Sequence, residues 1–93
     1  LGDAASRVSL TATKSQFGHT LSAAGAVGTF AAVLALQHQT VSPTLRLERK
    51  DPRCDLDCTP LLARERRVRA ALVNAFAFGG TNLCLALRRW EGT

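Results

Sequence analysis

Two side chains suited to chemistry, Lys14 and His19, lie near the start of the chain. Lysine is a compact positive charge with three donors, and a neutral imidazole can donate a hydrogen bond without ionising. The two residues lie between a β-like run, Val8–Thr13, and a long alanine-rich segment without charges. In α/β proteins, ligands bind beyond the carboxyl ends of strands. This spacing therefore predicts a ligand site at a strand-to-helix junction.

A second candidate element, Asn74–Asn82, lies near the other end of the chain and contains adjacent glycines. Glycine lets the backbone adopt angles that other residues avoid, so an amide in this stretch can point toward a ligand. We predict that this element and the Lys14–His19 stretch meet in space and form half of an active site. By residue type alone, an ordinary glycine hairpin, an exposed lysine and a capping histidine remain open alternatives.

Charges are unevenly distributed along the 93 residues. This length suffices for one small domain, and a hydrophobic fraction of 46% is normal for a globular chain. Yet Ser15–Leu45 contains no Asp, Glu, Lys or Arg. A small domain has a high ratio of surface to volume and needs more polar faces than this. We therefore expect the chain to be a piece of a larger protein or to be covered by a partner.

Much of the positive charge, which gives a net charge of +5, lies in Arg64–Arg69 and in Arg88 and Arg89. Such a patch could bind nucleic acid or another acidic partner. A solvated loop face is the commoner reason for a charge cluster, however. No nucleic-acid motif accompanies the arginines, whereas an acidic carrier protein would suit them.

The three cysteines, Cys54, Cys58 and Cys84, include no CxxC pair, and no histidine follows them at zinc-finger spacing. No metal site is therefore predicted, and reduced thiols in a cytoplasmic protein are the expectation. No basic segment followed by an apolar run opens the sequence, so a secretory signal is not predicted.

The segment from about Thr20 to Gln39 is predicted to form one long helix that is apolar nearly all round. Such a helix is either buried or in a membrane. The run Leu21–Leu36 is shorter than the about 20 apolar residues that a span needs, so we expect a buried helix and no membrane span. Gly25 and Gly28 weaken an isolated helix, and close packing against a neighbour is their expected benefit.

Strands are predicted on both sides of this helix. They are the alternating run Val8–Thr13, the almost wholly apolar run Val68–Phe76 and an antiparallel return strand, Leu83–Leu87. Between helix and strand pair, Thr44–Pro60 is predicted to be a long loop and Leu61–Arg67 a charged connector that could include a helical turn. The expected order is strand, buried helix, long loop and antiparallel strand pair.

The two candidate elements carry recognisable motifs. Residues 13–25 read Thr-Lys-Ser-x-x-Gly-His followed by x-x-x-Ala-Ala-Gly, and residues 74–82 read Asn-x-Phe-x-Phe-Gly-Gly-Thr-Asn. Both resemble the signature of the β-ketoacyl synthase family, also called ketosynthases or condensing enzymes. The stretches Leu-Ala-Leu-Gln, Val-Ser-Pro-Thr and Cys-Asp-Leu-Asp between them also look like that family. The likeness covers about residues 8–89, and two motifs in the right order at the right separation make it specific.

The resemblance implies the α/β thiolase-like fold, in which two similar halves stack as five alternating α and β layers. Residues 1–93 would be the last part of the C-terminal half, and an incomplete domain without the rest of the enzyme. The apolar helix would then belong to the central layer. This placement agrees with its lack of a polar face.

The resemblance also implies an acyltransferase activity, a decarboxylative Claisen condensation in fatty acid or polyketide biosynthesis. His19 matches the second histidine of a Cys-His-His site, and Lys14 matches its lysine. Phe78 resembles the gating phenylalanine, whose amide contributes to an oxyanion hole. Three further residues and the first phenylalanine of the motif would contact substrate: Phe76, Gly79, Gly80 and Thr81. The nucleophilic cysteine belongs to a motif that this chain does not contain, and none of its own three cysteines matches it.

The same resemblance implies the partners. These are the remaining part of the ketosynthase, an acyl carrier protein whose phosphopantetheine arm carries the substrates, and a second subunit in a homodimer or heterodimer. No cofactor is expected to be bound by this segment, and no nucleic acid is expected as a partner. A non-catalytic chain-length factor, which keeps the fold but lacks the cysteine, is the alternative.

Overall fold

The computed structural model describes residues 1–92. Its regular elements are, in chain order, α1 (Lys14–Phe17), α2 (Ala24–His38), β1 (Thr40–Val41), β2 (Arg64–Glu65), β3 (Ala70–Phe76) and β4 (Asn82–Arg88). Short 3-10 turns cover Gly2–Arg7 and Leu21–Ala23, the second leading directly into α2. The predicted long helix, long loop and final strand pair are therefore present.

The strands β3 and β4 form an antiparallel hairpin, with Ala70 opposite Arg88 and Phe76 opposite Asn82. Exposure alternates along β3, because successive side chains point to opposite faces of a strand. Its half-buried side chains, on the face toward α2, are small: Ala71, Val73 and Ala75. The other face is exposed and carries the larger side chains of Leu72 and Phe76.

Helix α2 lies close against β3, and two glycines make the close approach possible. A methyl group built on Gly25 would lie 3.6 Å from Cβ of Ala75, and one built on Gly28 would lie 3.2 Å from Cγ1 of Val73. The helix positions ascend while the strand positions descend, so the two elements run in opposite directions. The predicted benefit of these glycines, close packing, is confirmed.

Gln39 fixes the other end of this pair of elements. Its side-chain Nε2 donates to the carbonyl of Val68 at 2.9 Å, and its Oε1 accepts from the amide of Val68, also at 2.9 Å. From Gly25 to Gln39 the helix rises about 21 Å, and from Val68 to Ala75 an extended chain spans about 23 Å. Because these lengths match, both ends of the helix can be in register with β3 at once.

Little of this chain is buried. Among residues 1–92, only Leu36, Val41 and Thr59 fall in the buried class. The accessible surface is 7396 Å², whereas a folded monomer of 9.9 kDa is expected to expose about 5,200 Å². The apolar face of α2 contributes to this excess, since Phe30 is 66% exposed. A large part of the chain's surface is therefore suited to being covered by other protein.

The apolar segment Leu21–His38 meets the minimum length and composition of a membrane-crossing helix, with a mean hydropathy of 1.4 over 18 residues. The core helix of a water-soluble protein meets the same criteria. Length and composition alone therefore do not exclude a span, and its absence stays a prediction.

Two predicted elements differ from the structure. Val8–Thr13 forms no strand, and only Ser9 makes a parallel bridge, to Asp57. A strand needs a neighbouring strand that pairs along its whole length, and within residues 1–92 this segment has none. The connector Leu61–Arg67 contains no helical turn. Its residues Arg64 and Glu65 form β2, which pairs with β1.

Candidate active site

His19 follows α1 and precedes the 3-10 turn that leads into α2. Its Nδ1 accepts a hydrogen bond from the backbone amide of Leu21 at 2.9 Å. In a neutral imidazole one nitrogen accepts and the other carries the proton. Because Nδ1 is the acceptor here, the proton of the neutral ring lies on Nε2. The exposed His19 ring can therefore donate from Nε2.

Lys14 is the first residue of α1, and its carbonyl accepts from the amide of Gly18 at 2.9 Å. Gly18 has φ of 76°, a left-handed conformation that favours glycine. This turn leads the chain from Lys14 to His19. Within residues 1–92 the Lys14 ammonium group has no hydrogen-bond or ion-pair partner and is exposed. It is therefore available to a group outside the described chain.

Phe78 lies at the tip of the β3–β4 hairpin and is 96% exposed. The amide of Gly80 donates to the carbonyl of Ala77 at 3.3 Å, and the amide of Ala77 donates to the carbonyl of Thr81 at 2.8 Å. Gly79 and Gly80 have φ of 87° and 89°, so the unusual backbone angles expected there are observed. Within residues 1–92 the amide of Phe78 itself donates no hydrogen bond.

The fold brings the two candidate stretches to the same end of the helix and hairpin. Gly25 contacts the Ala75 position, and the chain reaches His19 just before α2 and Phe78 just after β3. No hydrogen bond among residues 1–92 joins the Lys14–His19 stretch to Phe76–Thr81. The course of the main chain therefore places both stretches at one end, while direct convergence of their reactive groups stays a prediction.

Asp57 is a structural centre that the sequence reading did not single out. Its Oδ2 accepts from the hydroxyl of Ser9 at 2.9 Å and pairs with the guanidinium of Arg64, and its Oδ1 accepts from the amide of Thr59 at 3.1 Å. Burial acts to raise the pKa of Asp57, but these hydrogen bonds and the charge of Arg64 outweigh it and hold the pKa below its usual range. The Cys-Asp-Leu-Asp resemblance pointed to this loop but not to this role.

The arginines of the basic patch Arg64–Arg69 fall into two groups, of which one contacts Asp57 and the other does not. Arg64 is paired with Asp57, and Arg66 lies 3.8 Å from the same carboxylate and donates to Ser9. Arg67 and Arg69 instead line a cavity of about 400 Å³ together with Trp90. This cavity lies at the start of β3, and none of the predicted site residues lines it.

The cysteines Cys54, Cys58 and Cys84 are all free. Among residues 1–92, no three His, Cys, Asp or Glu side chains are arranged to hold a metal ion. Lys14, His19 and the glycine turn offer donor groups of the kind that a carbonyl or carboxylate ligand accepts from.

The chain matches a family model and several curated proteins. The model for "Beta-ketoacyl synthase, C-terminal domain" matches residues 1–48. A 3-oxoacyl-[acyl-carrier-protein] synthase 2 of Rhizobium meliloti is 46% identical over 99% of this chain and 22% of its own length. An actinorhodin polyketide putative β-ketoacyl synthase 1 of Streptomyces coelicolor is 46% identical over 98% of this chain and 20% of its own length. The chain thus spans about a fifth of the length of these relatives.

Two solved ketosynthase structures superpose on this chain. The ishigamide ketosynthase/chain length factor superposes with a TM-score of 0.84 at 40% identity, covering 87% of this chain and 20% of that one. A type II polyketide-synthase acyl carrier protein in complex with its ketosynthase, bound to the hexaketide, superposes with a TM-score of 0.91 at 31% identity, covering 97% and 22%. The chain has the fold of the corresponding ketosynthase segment, which is α/β and thiolase-like, as predicted. With its two motifs, its fold and more than half of its length matched, this chain belongs to the β-ketoacyl synthase family.

Proposed function

We propose that residues 1–93 form the C-terminal portion of a β-ketoacyl-carrier-protein synthase. Such an enzyme catalyses a decarboxylative Claisen condensation, in which an acyl group is held as a thioester on a cysteine supplied by the rest of the enzyme. A malonyl thioester loses carbon dioxide, and the electron pair of the broken bond forms an enolate. The enolate carbon attacks the acyl carbonyl, a carbon–carbon bond forms, and the cysteine thiolate leaves. This chain supplies groups for both charge-developing steps.

The hydrogen bond between His19 and the Leu21 amide is the observation that carries this proposal. It leaves the proton of the neutral ring on Nε2, so that Nε2 can donate to the thioester oxygen as negative charge develops there. A donor held in place before the reaction needs no reorganisation when the charge appears. The hydrogen-bond geometry thus leaves Nε2 available as the donor that the proposed decarboxylation step uses.

The hairpin tip supplies the second set of groups. The Phe78 amide, which has no partner within residues 1–92, would donate to the oxyanion formed when the enolate attacks the acyl thioester. Gly79 and Gly80 hold the turn in its left-handed angles, and Phe76 and Thr81 flank it, so these residues would contact the acyl substrate. Lys14 would orient an acidic group and the histidine network through its free ammonium.

The remaining enzyme would cover the exposed face of α2. The accessible surface of 7396 Å² exceeds the value expected for a monomer of this mass by about 2,200 Å². An area of this size is typical of large permanent interfaces. An acyl carrier protein, the rest of the ketosynthase and a second subunit are the partners that belong to this proposal, and the cytoplasm is the expected location.

A non-catalytic chain-length factor is the less favoured alternative. The curated relatives described above are named as synthases, and Lys14 and His19 are both retained. A scaffold subunit would have no need for a histidine whose donor nitrogen is left free.

The deciding experiment is His19→Ala in the complete condensing enzyme that carries this chain. Loss of the donor is expected to lower malonyl decarboxylation and condensation by about 10²–10³-fold. Iodoacetamide should still label the nucleophilic cysteine of the variant, because the substitution removes the imidazole and not the cysteine. Wild-type decarboxylation by His19→Ala would contradict the catalytic role.

A further inference from the structure

Helix α1, which carries Lys14, cannot hold its position by helix formation alone. It comprises only Lys14–Phe17, and isolated helices shorter than about 12 residues are marginal in water. None of its residues is buried, so apolar packing within residues 1–92 contributes little. The position of Lys14 must therefore depend on the polar contacts of its neighbours.

Two of those neighbours, Ser15 and Gln16, reach one segment, residues 43–45. The Ser15 hydroxyl donates to the carbonyl of Ala12 at 2.6 Å and accepts from the amide of Leu45 at 2.9 Å. Gln16 Nε2 donates to the carbonyl of Pro43 at 2.8 Å. The amide of Ala12 also donates to Oγ1 of Thr44, in the same segment, at 3.1 Å. The turn that bears Lys14 is thus hydrogen-bonded to residues 43–45 both before and after Lys14.

The receiving segment is itself held in place. The amide of Thr44 donates to the carbonyl of Thr59 at 2.8 Å, and the carbonyl of Thr44 accepts from the amide of Leu61 at 3.1 Å. Thr59 is fully buried. The anchor of Ser15 and Gln16 is therefore connected to one of the three buried residues in the described part of the chain, 1–92.

We propose that Ser15 and Gln16 are positioning residues for the condensation chemistry. They set the place of Lys14 directly, and the place of His19 through Gly18, whose amide donates to the Lys14 carbonyl at 2.9 Å. This inference rests on the proposed function, because it assigns the purpose of the anchor to the placement of those two groups. Neither residue is required to touch substrate.

The test uses the complete enzyme with Ser15→Ala, Ser15→Thr and Gln16→Leu. Ser15→Ala removes the hydroxyl, Ser15→Thr retains it, and Gln16→Leu removes the donor at similar size. Ser6→Ala and Gln37→Leu are matched controls, because Ser6 bonds only within its own 3-10 turn and the Gln37 side chain makes no hydrogen bond among residues 1–92. Malonyl decarboxylation is measured as kcat and KM, together with melting temperature.

A small displacement of a catalytic group lowers rate more than it lowers binding. We therefore expect kcat to fall about tenfold in Ser15→Ala and in Gln16→Leu, with KM and melting temperature close to those of the controls. Ser15→Thr should recover most of the rate. Equal kcat in the variants and controls, or no recovery with threonine, would overturn the inference.

The outcome for His19→Ala separates this inference from the proposed function. If His19→Ala abolishes decarboxylation while Ser15→Ala and Gln16→Leu behave as controls, the chemistry stands and only the positioning role fails. If His19→Ala is fully active, the proposed function fails and the positioning role fails with it.

Discussion

The carboxamide of Gln39 exchanges two hydrogen bonds with the backbone of Val68, each 2.9 Å long. The same Nε2 also donates to the carbonyl of Leu36 at 2.7 Å, and the carbonyl of Gln39 accepts from the amide of Arg66 at 2.8 Å. One residue at the end of α2 thus joins the helix to the chain that enters β3. At the opposite end, the Gly25–Ala75 approach completes the alignment that brings the His19 and Phe78 stretches to the same end of the fold.

Gln39→Leu should destabilise the complete enzyme, because the amide and carbonyl of Val68 would lose their partners in a part-buried setting. Three side-chain hydrogen bonds are lost, and the expected cost is about 2 kcal/mol. The melting temperature measures it. Gln37→Leu is the matched control, since the side chain of Gln37, two residues earlier, makes no hydrogen bond among residues 1–92. Equal melting temperatures for the two variants would show that the Gln39 contacts contribute nothing.

Gly25→Ala and Gly28→Ala should change the free energy of unfolding by different amounts, although both substitutions add the same methyl group. Alanine gains about 1 kcal/mol over glycine inside a helix. At Gly25 the new methyl would lie 3.6 Å from Ala75, an ordinary contact, so stability should rise. At Gly28 it would lie 3.2 Å from Val73, so crowding should offset the gain.

Thermal melts of both variants, with and without Val73→Ala, measure this difference. Shortening Val73 should improve the relative stability of Gly28→Ala and leave the effect of Gly25→Ala unchanged. If alanine at both positions raises the melting temperature equally, the close approach at Gly28 is not a constraint.

Gly79→Ala should impair condensation by disturbing the turn that carries the Phe78 amide. Gly79 has φ of 87°, and a residue with a Cβ in the left-handed region costs about 1–2 kcal/mol. We expect the condensation rate to fall about tenfold, in line with partial loss of one oxyanion-hole donor. Gly2→Ala is the control, because Gly2 also has positive φ, 52°, with open space around it, but lies in the first 3-10 turn. A similar loss of rate in Gly2→Ala would remove the link to Phe78.

Asp57→Asn should change how stability depends on pH. The pKa of Asp57 is lower in the folded chain than its ordinary value, so ionisation of this group stabilises the fold above that value. The contribution is lost as pH falls below about 4 and through the lowered pKa. Melting temperature against pH should therefore fall less steeply in acid for Asp57→Asn than for wild type. Asp55→Asn, in the same loop and exposed, should retain the wild-type slope.

The long helix and the hairpin could be predicted because each has a strong local signal. The charge-free run around α2 and the apolar run of β3, followed by Gly79 and Gly80, leave few other conformations open. The candidate residues Lys14, His19 and Phe78 came from motifs rather than from periodicity. Their placement at one end of the fold required the packing of α2 on β3, which no local pattern encodes.

The errors lie where pairing between strands is non-local. β2 is two charged residues, and only its pairing with β1, such as Arg64 with Val41 23 positions earlier, makes it a strand. Val8–Thr13 has the composition of a strand, but within residues 1–92 its one β-bridge is that of Ser9 with Asp57. The role of Asp57 was missed because its contacts combine one residue distant in sequence, Ser9, with the Thr59 amide and two nearby guanidinium groups, and no sequence motif marks this combination.

The division of β3 into a small-residue face and a large-residue face has a further consequence. Sliding β3 by one position would turn every side chain over and bring Phe76 or Leu72 against α2, where at Gly28 even one added methyl group would be crowded. A single-residue deletion in β3 therefore has no nearby alternative alignment to fall into. Natural variation in the length of this segment should be confined to the ends of the hairpin, and an engineered insertion there would be tolerated where one inside the strand would abolish folding.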